Sequence, residues 1–372
     1  MRRVGVDARK LADYGIGSYL QGLLTELAHL EPDGGLVLLV GSENRHLLPE
    51  IPESWRLVEV DAAGYTIREQ FAVLAAALRA GVGVLHVPHY IVPVLFPRPM
   101  VVTVHDIIHV LFPEFLPHSL GFAYARMSIR LAVRRGRVVV TGSRTTAEDL
   151  KRLFGATEER LRVIPHGVHP EFLVDGEPAA DRAAREGLGV TGPYLLHVGN
   201  HKPHKNAEGL LKAYQLLVFG RRGGVPDLLM VGGFPPDGEL AQRAGTMGLG
   251  GRVRCLGPVE RRELAALFRG ATAFVYPTLY EGFGLPVLEA MACRVPVVAG
   301  DIAAVREVAG DAVLRVNPRD VVELAGAVRR LLEQPDLRAE LGGRGAERAR
   351  AFSWRKTAEA TLAAYRVAAE AA

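Results

Sequence analysis

The sequence predicts an α/β protein built from two doubly wound parallel-sheet domains, and three observations carry that expectation. Short apolar runs alternate with helical patterns, the alternation restarts after a charged stretch near the middle, and 372 residues are too many for one ordinary core. Strand and helix alternation of this kind puts helices on both faces of each sheet. Hydrophobic content of 49% with 23% charged residues is that of a globular chain. The formal net charge of +4 suits an enzyme of anionic small molecules or a visitor to an acidic membrane surface, and is too weak to argue for nucleic acid.

Taken in order, 4–8 reads as a first buried strand followed by a loop ending Tyr14-Gly15-Ile16-Gly17. Ser18 with Gln21 forms a capping box for a helix over 19–30. Gly15 and Gly17 then either cradle an anion or sugar at that helix start or simply close a βα turn. Further strands fall at 36–40, 57–60, 84–87, 101–104 and 138–140, with a helical pattern over 69–79 among them. His105 and Asp106 follow the strand at 101–104, where His105 is a hydrogen-bonded loop residue or a ligand contact. Arg126, Arg130 and Arg134 recur every four residues on one helical face, which reads as a solvated face or as a contact with anionic membrane.

After Val163-Ile164-Pro165-His166-Gly167-Val168 the composition turns charged, predicting domains over 1–173 and 191–352, a linker over 174–190 and a separate terminal helix over 353–372. The second series opens at Tyr194-Leu195-Leu196-His197-Val198-Gly199. Its first loop carries Asn200, His204 and Lys205 ahead of a helical run, and a lysine beside a helix start suits a diphosphate. More strands are expected at 228–233, 253–257, 273–276 and 295–299. Cys255 and Cys293 sit in apolar settings and read as reduced, buried thiols, and the amino terminus lacks a signal-peptide apolar region, so the expected location is cytoplasmic. No Asp-x-Asp and no metal-spaced cluster occurs, so no metal is expected.

The stretch that organises the chain is Tyr280-Glu281-Gly282-Phe283-Gly284-Leu285-Pro286-Val287-Leu288-Glu289-Ala290. Glu281 leaves a strand's carboxyl end, and Gly282 and Gly284 let backbone approach a ligand ahead of a helix that opens near Pro286. Glu281 then accepts from sugar hydroxyls and Glu289 from a ribose, unless both are solvated glutamates beside a plain turn. The string closely resembles the Glu-x7-Glu motif of retaining, nucleotide-sugar-dependent glycosyltransferases of family 4 (group 1), which have the GT-B fold.

Gly15 and Gly17, His105-Asp106, Asn200 to Lys205-Asn206, and Glu281 to Glu289 occur in that family's order, most similar to bacterial mannosyl- or rhamnosyltransferases of surface polysaccharide assembly. The resemblance implies two Rossmann-like domains facing a central cleft, the first for the acceptor and the second for the donor, with the terminal helix crossing back. It implies catalytic roles for His105, Lys205 and Glu281. Gly15, Gly17, Asn200, His204, Val259, Phe283, Gly284, Leu285 and Glu289 would bind the donor, with Val259 at the nucleobase. Asn200 departs from the arginine that many members carry there, which shifts phosphate charge onto Lys205.

The activity implied is retaining transfer of a hexose, mannose foremost, from a nucleotide sugar to a glycan or lipid-linked acceptor without metal or cofactor. Guanine, uracil and adenine stay open as the base, with GDP-mannose foremost, and the second reading of the arginine face adds a peripheral contact at the inner membrane face. Alternatives of other classes are a GT-B epimerase or phosphorylase and a silent nucleotide-sugar-binding scaffold. Acceptor choice is expected in the loops 64–68 and 107–120.

Overall fold

The computed structural model describes residues 3–31, 35–62, 66–115, 119–173, 176–220 and 224–370. The chain divides into two units, Met1–Gly167 with Ser353–Ala372, and Val168–Phe352. In the first, β1 (Val4–Asp7), β2 (Val37–Val40), β3 (Arg56–Glu59), β4 (Val84–Val87), β5 (Met100–Thr103), β6 (Gly136–Thr141) and β7 (Leu161–Val163) make one sheet. Their order is β3-β2-β1-β4-β5-β6-β7 and every pairing is parallel. The order reverses between β1 and β4, which is where open α/β sheets hold ligands.

The second unit repeats the plan with β8 (Tyr194–Asn200), β9 (Asp227–Gly233), β10 (Val253–Gly257), β11 (Ala273–Tyr276), β12 (Val297–Gly300) and β13 (Leu314–Val316). These run parallel in the order β10-β9-β8-β11-β12-β13, with the reversal between β8 and β11. Central strands such as β1, β4, β5, β11 and β12 are buried at every position, because helices cover both faces and water touches neither. Each unit is thus a Rossmann-like layer structure with its own cores.

Several boundaries differ from the sequence reading for identifiable reasons. The first helix runs Tyr14–Leu30 from Asp13, which makes no side-chain cap, so Ser18 lies inside it and forms no capping box at its start. Gly15 and Gly17 are therefore helical residues and not a loop. A Cβ on Gly17 would lie 2.2 Å from the Leu11 carbonyl oxygen, so only glycine lets the chain double back there.

The charged stretch 174–190 contains a helix, Pro178–Gly187, inside the second unit. Its Asp181 takes two hydrogen bonds from Arg269, at 2.6 and 2.7 Å, which fasten that helix to Arg261–Gly270. The helix Trp354–Glu370 packs in the first unit, where a Cβ on Gly22 would lie 2.3 Å from the Trp354 ring. Of the loops expected to choose the acceptor, 63–65 and 116–118 fall outside the described residues.

Candidate active site

Two loops meet at the switch point of the second sheet. The one leaving β8 tightens into a 3-10 turn, Pro203–Lys205, and ends at Asn206 in the left-handed region with φ +55°. Asn206 starts the helix Ala207–Gly220 by accepting from Leu210 N at 3.0 Å. Its amide donates to Pro277 O at 3.1 Å and to Pro318 O at 2.6 Å, which ties the loop to the exit of β11. From that exit, Leu279 N donates to His204 O at 2.7 Å. Lys205 and Glu281 are thereby placed by backbone on both sides.

Lys205 Nζ donates to Glu281 Oε1 at 2.7 Å and to Tyr276 Oη at 2.7 Å. Tyr276 Oη donates to the same Glu281 oxygen at 2.8 Å, and Thr278 Oγ1 stands 2.8 Å from it. Glu281 Oε2 has no hydrogen-bond partner among the described residues. An ammonium has three N–H groups, so one on Lys205 is also left. Burial pushes the Glu281 carboxyl up, but Lys205, His204 and the Tyr276 hydroxyl outweigh it and hold the group below the usual carboxylate range. The result is an ionised, water-poor carboxylate with one oxygen committed and one available.

Glu289 lies on the helix Leu285–Ala292, which Gly284 enters with φ +100°. Burial raises its carboxyl to about 8, offset only partly by Arg261. Phe283 turns its side chain into the core against Phe352, with ring centroids 6.0 Å apart, and so offers backbone alone. Leu285 and Val259 are partly buried against that same core. Asn200 closes its own turn, its side-chain oxygen accepting from Lys202 N at 3.2 Å, and His204 is buried beside Lys205. Among the described residues no group of three or more His, Cys, Asp or Glu is placed to hold a metal ion.

His105, Gly15 and Gly17 belong to the first unit. His105 Nε2 donates to Pro88 O at 3.1 Å, which leaves Nδ1 as an acceptor. Its ring packs edge-on to Tyr19 at 4.9 Å and against His166 at 5.4 Å. Burial lowers its pKa to about 4, more than Asp106 and the Pro88 bond raise it, so the imidazole is neutral near pH 7. Gly17 is buried in the first helical turn, and Gly15 is exposed with open space around it.

Sequence reasoning passed over Tyr276, Thr278 and His86. The first looked like strand packing, and nothing in the sequence marks a strand phenol as polar. His86 is wholly buried at the end of β4, 2.7 Å from Tyr365 Oη and 2.8 Å from Thr103 Oγ1.

Residues 181–348 match the family described as Glycosyl transferases group 1, and residues 15–172 match Glycosyltransferase Family 4. The chain is 31% identical over 286 residues to the O-antigen chain mannosyltransferase B of Escherichia coli, covering 76% of this chain and 74% of that protein. It is 38% identical over 226 residues to the D-inositol 3-phosphate glycosyltransferase of Frankia alni, covering 58% of this chain and 54% of that one.

Among solved structures, a sucrose-phosphate synthase of Thermosynechococcus elongatus superposes with a TM-score of 0.79 over 100% of both chains at 23% identity. HepE of Anabaena in complex with UDP-glucose gives 0.78 over 98% of this chain and 100% of that one at 19% identity. These structural likenesses establish the GT-B fold of the chain.

Proposed function

The chain belongs to the group 1 glycosyl transferases, and from that premise we propose that it moves a hexose, mannose foremost, from a nucleoside-diphosphate sugar to a hydroxyl of a glycan or lipid-linked acceptor. The observation that carries the reading is the Lys205–Glu281 contact of 2.7 Å at the β8/β11 switch point, with Glu281 Oε2 left available. Lys205 would meet charge developing on the departing diphosphate, and the free carboxylate oxygen would accept from sugar hydroxyls. Glu289, an acid at neutral pH by its raised pKa, could donate to one ribose oxygen and accept from another.

The reaction as we read it retains anomeric configuration, the leaving phosphate helping to remove the acceptor's proton on the same face. No metal enters this account because Lys205 and the backbone N–H groups around Gly284 supply positive potential where the diphosphate would lie. Neutral His105 would act toward the sugar as a hydrogen-bonding group and not as a cation. Mannose is favoured by the name of the Escherichia coli mannosyltransferase, GDP by the motif resemblance of the sequence alone, and neither by a contact in the site.

A peripheral membrane contact of the helix Ser119–Arg135 joins this reading. Arg126, Arg130 and Arg134 have no ion-pair partner among the described residues, and Tyr124 and Met127 stand 42% and 54% exposed beside them. Unpaired cations with exposed apolar neighbours match an anionic lipid surface. No helix among the described residues is long and apolar enough to cross a membrane.

The test is turnover of GDP-mannose, UDP-glucose, UDP-N-acetylglucosamine and ADP-glucose under chelator, with proton NMR of the sugar product. Consumption of GDP-mannose ahead of the others, giving an α-linked or α-configured product, supports the proposal. Turnover that requires added divalent cation, or an inverted product, contradicts it.

A further inference from the structure

We propose that Tyr276 is the positioning residue of this site, its hydroxyl binding Lys205 and Glu281 into one unit. The inference rests on the transferase reading above, and it starts from hydrogen-bond chemistry. Lysine can only donate and an ionised carboxylate can only accept, so the directions are forced. Lys205 Nζ–H points at Tyr276 Oη, 2.7 Å away, and Tyr276 O–H points at Glu281 Oε1, 2.8 Å away. With the direct Lys205–Glu281 bond, the three groups close a ring of hydrogen bonds. Two of the three ammonium protons are thereby fixed, which sets the direction of the third.

Nothing in the packing asks for that hydroxyl. The ring of Tyr276 is fully buried in β11, stacked on Phe274 at 5.5 Å and tilted against His197 at 5.9 Å, and phenylalanine would fill the same space. Among the described residues its oxygen hydrogen-bonds only to Lys205 and Glu281. A buried hydroxyl without partners is costly, so this one is kept where the two site residues satisfy it. His197 supports the arrangement from behind: its Nδ1 donates to Val275 O at 2.9 Å, and burial lowers its pKa to about 4. The imidazole is thus a neutral wall beside the ammonium.

The charged and titratable groups around Glu281 are Lys205, His204, His197 and Tyr276, with Glu289 also acting on the phenol. Removing the phenol hydroxyl takes one donor from the carboxylate, so the Glu281 pKa rises and the acid limb of kcat moves to higher pH. It also frees the ammonium rotor. The sugar-facing oxygen of Glu281 is untouched, so donor KM changes little.

The experiment compares wild type, Tyr276→Phe and Lys205→Ala by steady-state release of nucleoside diphosphate, using whichever of GDP-mannose or UDP-glucose wild type turns over faster. For Tyr276→Phe we expect kcat to fall about 10- to 100-fold with KM within about threefold, an acid limb displaced upward, and a thermal midpoint lowered only modestly, by the loss of this one hydroxyl's bonds to Lys205 and Glu281. Wild-type kcat and acid limb in Tyr276→Phe, with Lys205→Ala inactive, overturn the Tyr276 assignment and leave the transferase reading standing. Full activity in Lys205→Ala overturns both. Should Tyr276→Phe fail to fold, difluorotyrosine at position 276 keeps the shape and donates more strongly. The acid limb must then move to lower pH, and an unmoved limb overturns the proposal.

Discussion

Lys205 and Glu281, 76 positions apart in sequence, touch at 2.7 Å across the switch point of the second sheet. Each side chain is only 13% exposed, so the pair is held where water screens it weakly. An ion pair this deep is poor evidence of stability, because desolvation offsets attraction. Its placement at a ligand-binding position of the fold points instead to function.

Lys205→Ala strands Glu281 without its counter-charge. We expect turnover to drop on the order of 100-fold or more and unfolding free energy to fall on the order of 3 kcal/mol. In the double variant Lys205→Ala/Glu281→Ala, urea unfolding should show stability partly restored while activity stays lost. Recovery of neither stability nor activity would show that the loop itself had come apart.

Glu289 supplies a pH signature of opposite sign to ordinary carboxylates. Its pKa is raised from 4.5 to about 8 by burial, so the native state holds a proton that the unfolded chain has released. Stability from this group is therefore full below about 4.5 and declines as pH climbs through the interval to 8. Glu289→Gln should flatten the thermal midpoint between pH 6 and 9 and gain on wild type toward the upper end. Parallel pH curves for the two proteins would exclude a protonated Glu289.

The buried histidines of the first unit act in the other direction. His86 is lowered to about 3 and His105 to about 4, by burial first and, for His86, by the neighbouring His105 as well. The unfolded chain binds protons that the native state refuses, so stability is full above about 6.5 and falls as pH drops toward 4. For His86 the loss at pH 5 is about 2 kcal/mol. His86→Gln should melt lower than wild type at pH 7 yet lose less on going from pH 7 to 5, as followed by circular dichroism.

The arginine face gives a binding prediction. Changing Arg126, Arg130 and Arg134 together to glutamate should abolish flotation with vesicles containing anionic phospholipid while leaving turnover of free donor unchanged. Equal flotation of variant and wild type would return that helix to a solvated face. Salt should weaken wild-type flotation, since exposed charges are screened within about 10 Å at 0.1 M.

Much of this was legible in the sequence because the fold announces itself through strand runs and the site through loops at their carboxyl ends. Lys205 and Glu281 stand in such loops, flanked by glycine, proline and asparagine, where a charged residue is conspicuous. Tyr276 was hidden for the converse reason: it ends the run Ala273–Tyr276, where an aromatic residue reads as packing and its hydroxyl has no sequence signature. β7 and β13, with three residues each, are too short for periodicity to detect. The charged stretch 174–190 looked like a tether because Asp181 has its partner, Arg269, 88 positions away. Gly15 and Gly17 looked like a loop because glycine usually breaks helices, whereas here Gly17 is set by a close approach to Leu11.

The measurement that bears most directly on the central claim is calorimetric titration of wild type and Glu281→Ala, in chelator, with GDP-mannose, UDP-glucose, UDP-N-acetylglucosamine and ADP-glucose. Wild type should select one donor, and Glu281→Ala should bind it at least about tenfold more weakly, as expected for losing hydrogen bonds to a charged group. Equal affinity of the two proteins for that donor, or no binding of any of the four to wild type, would contradict it.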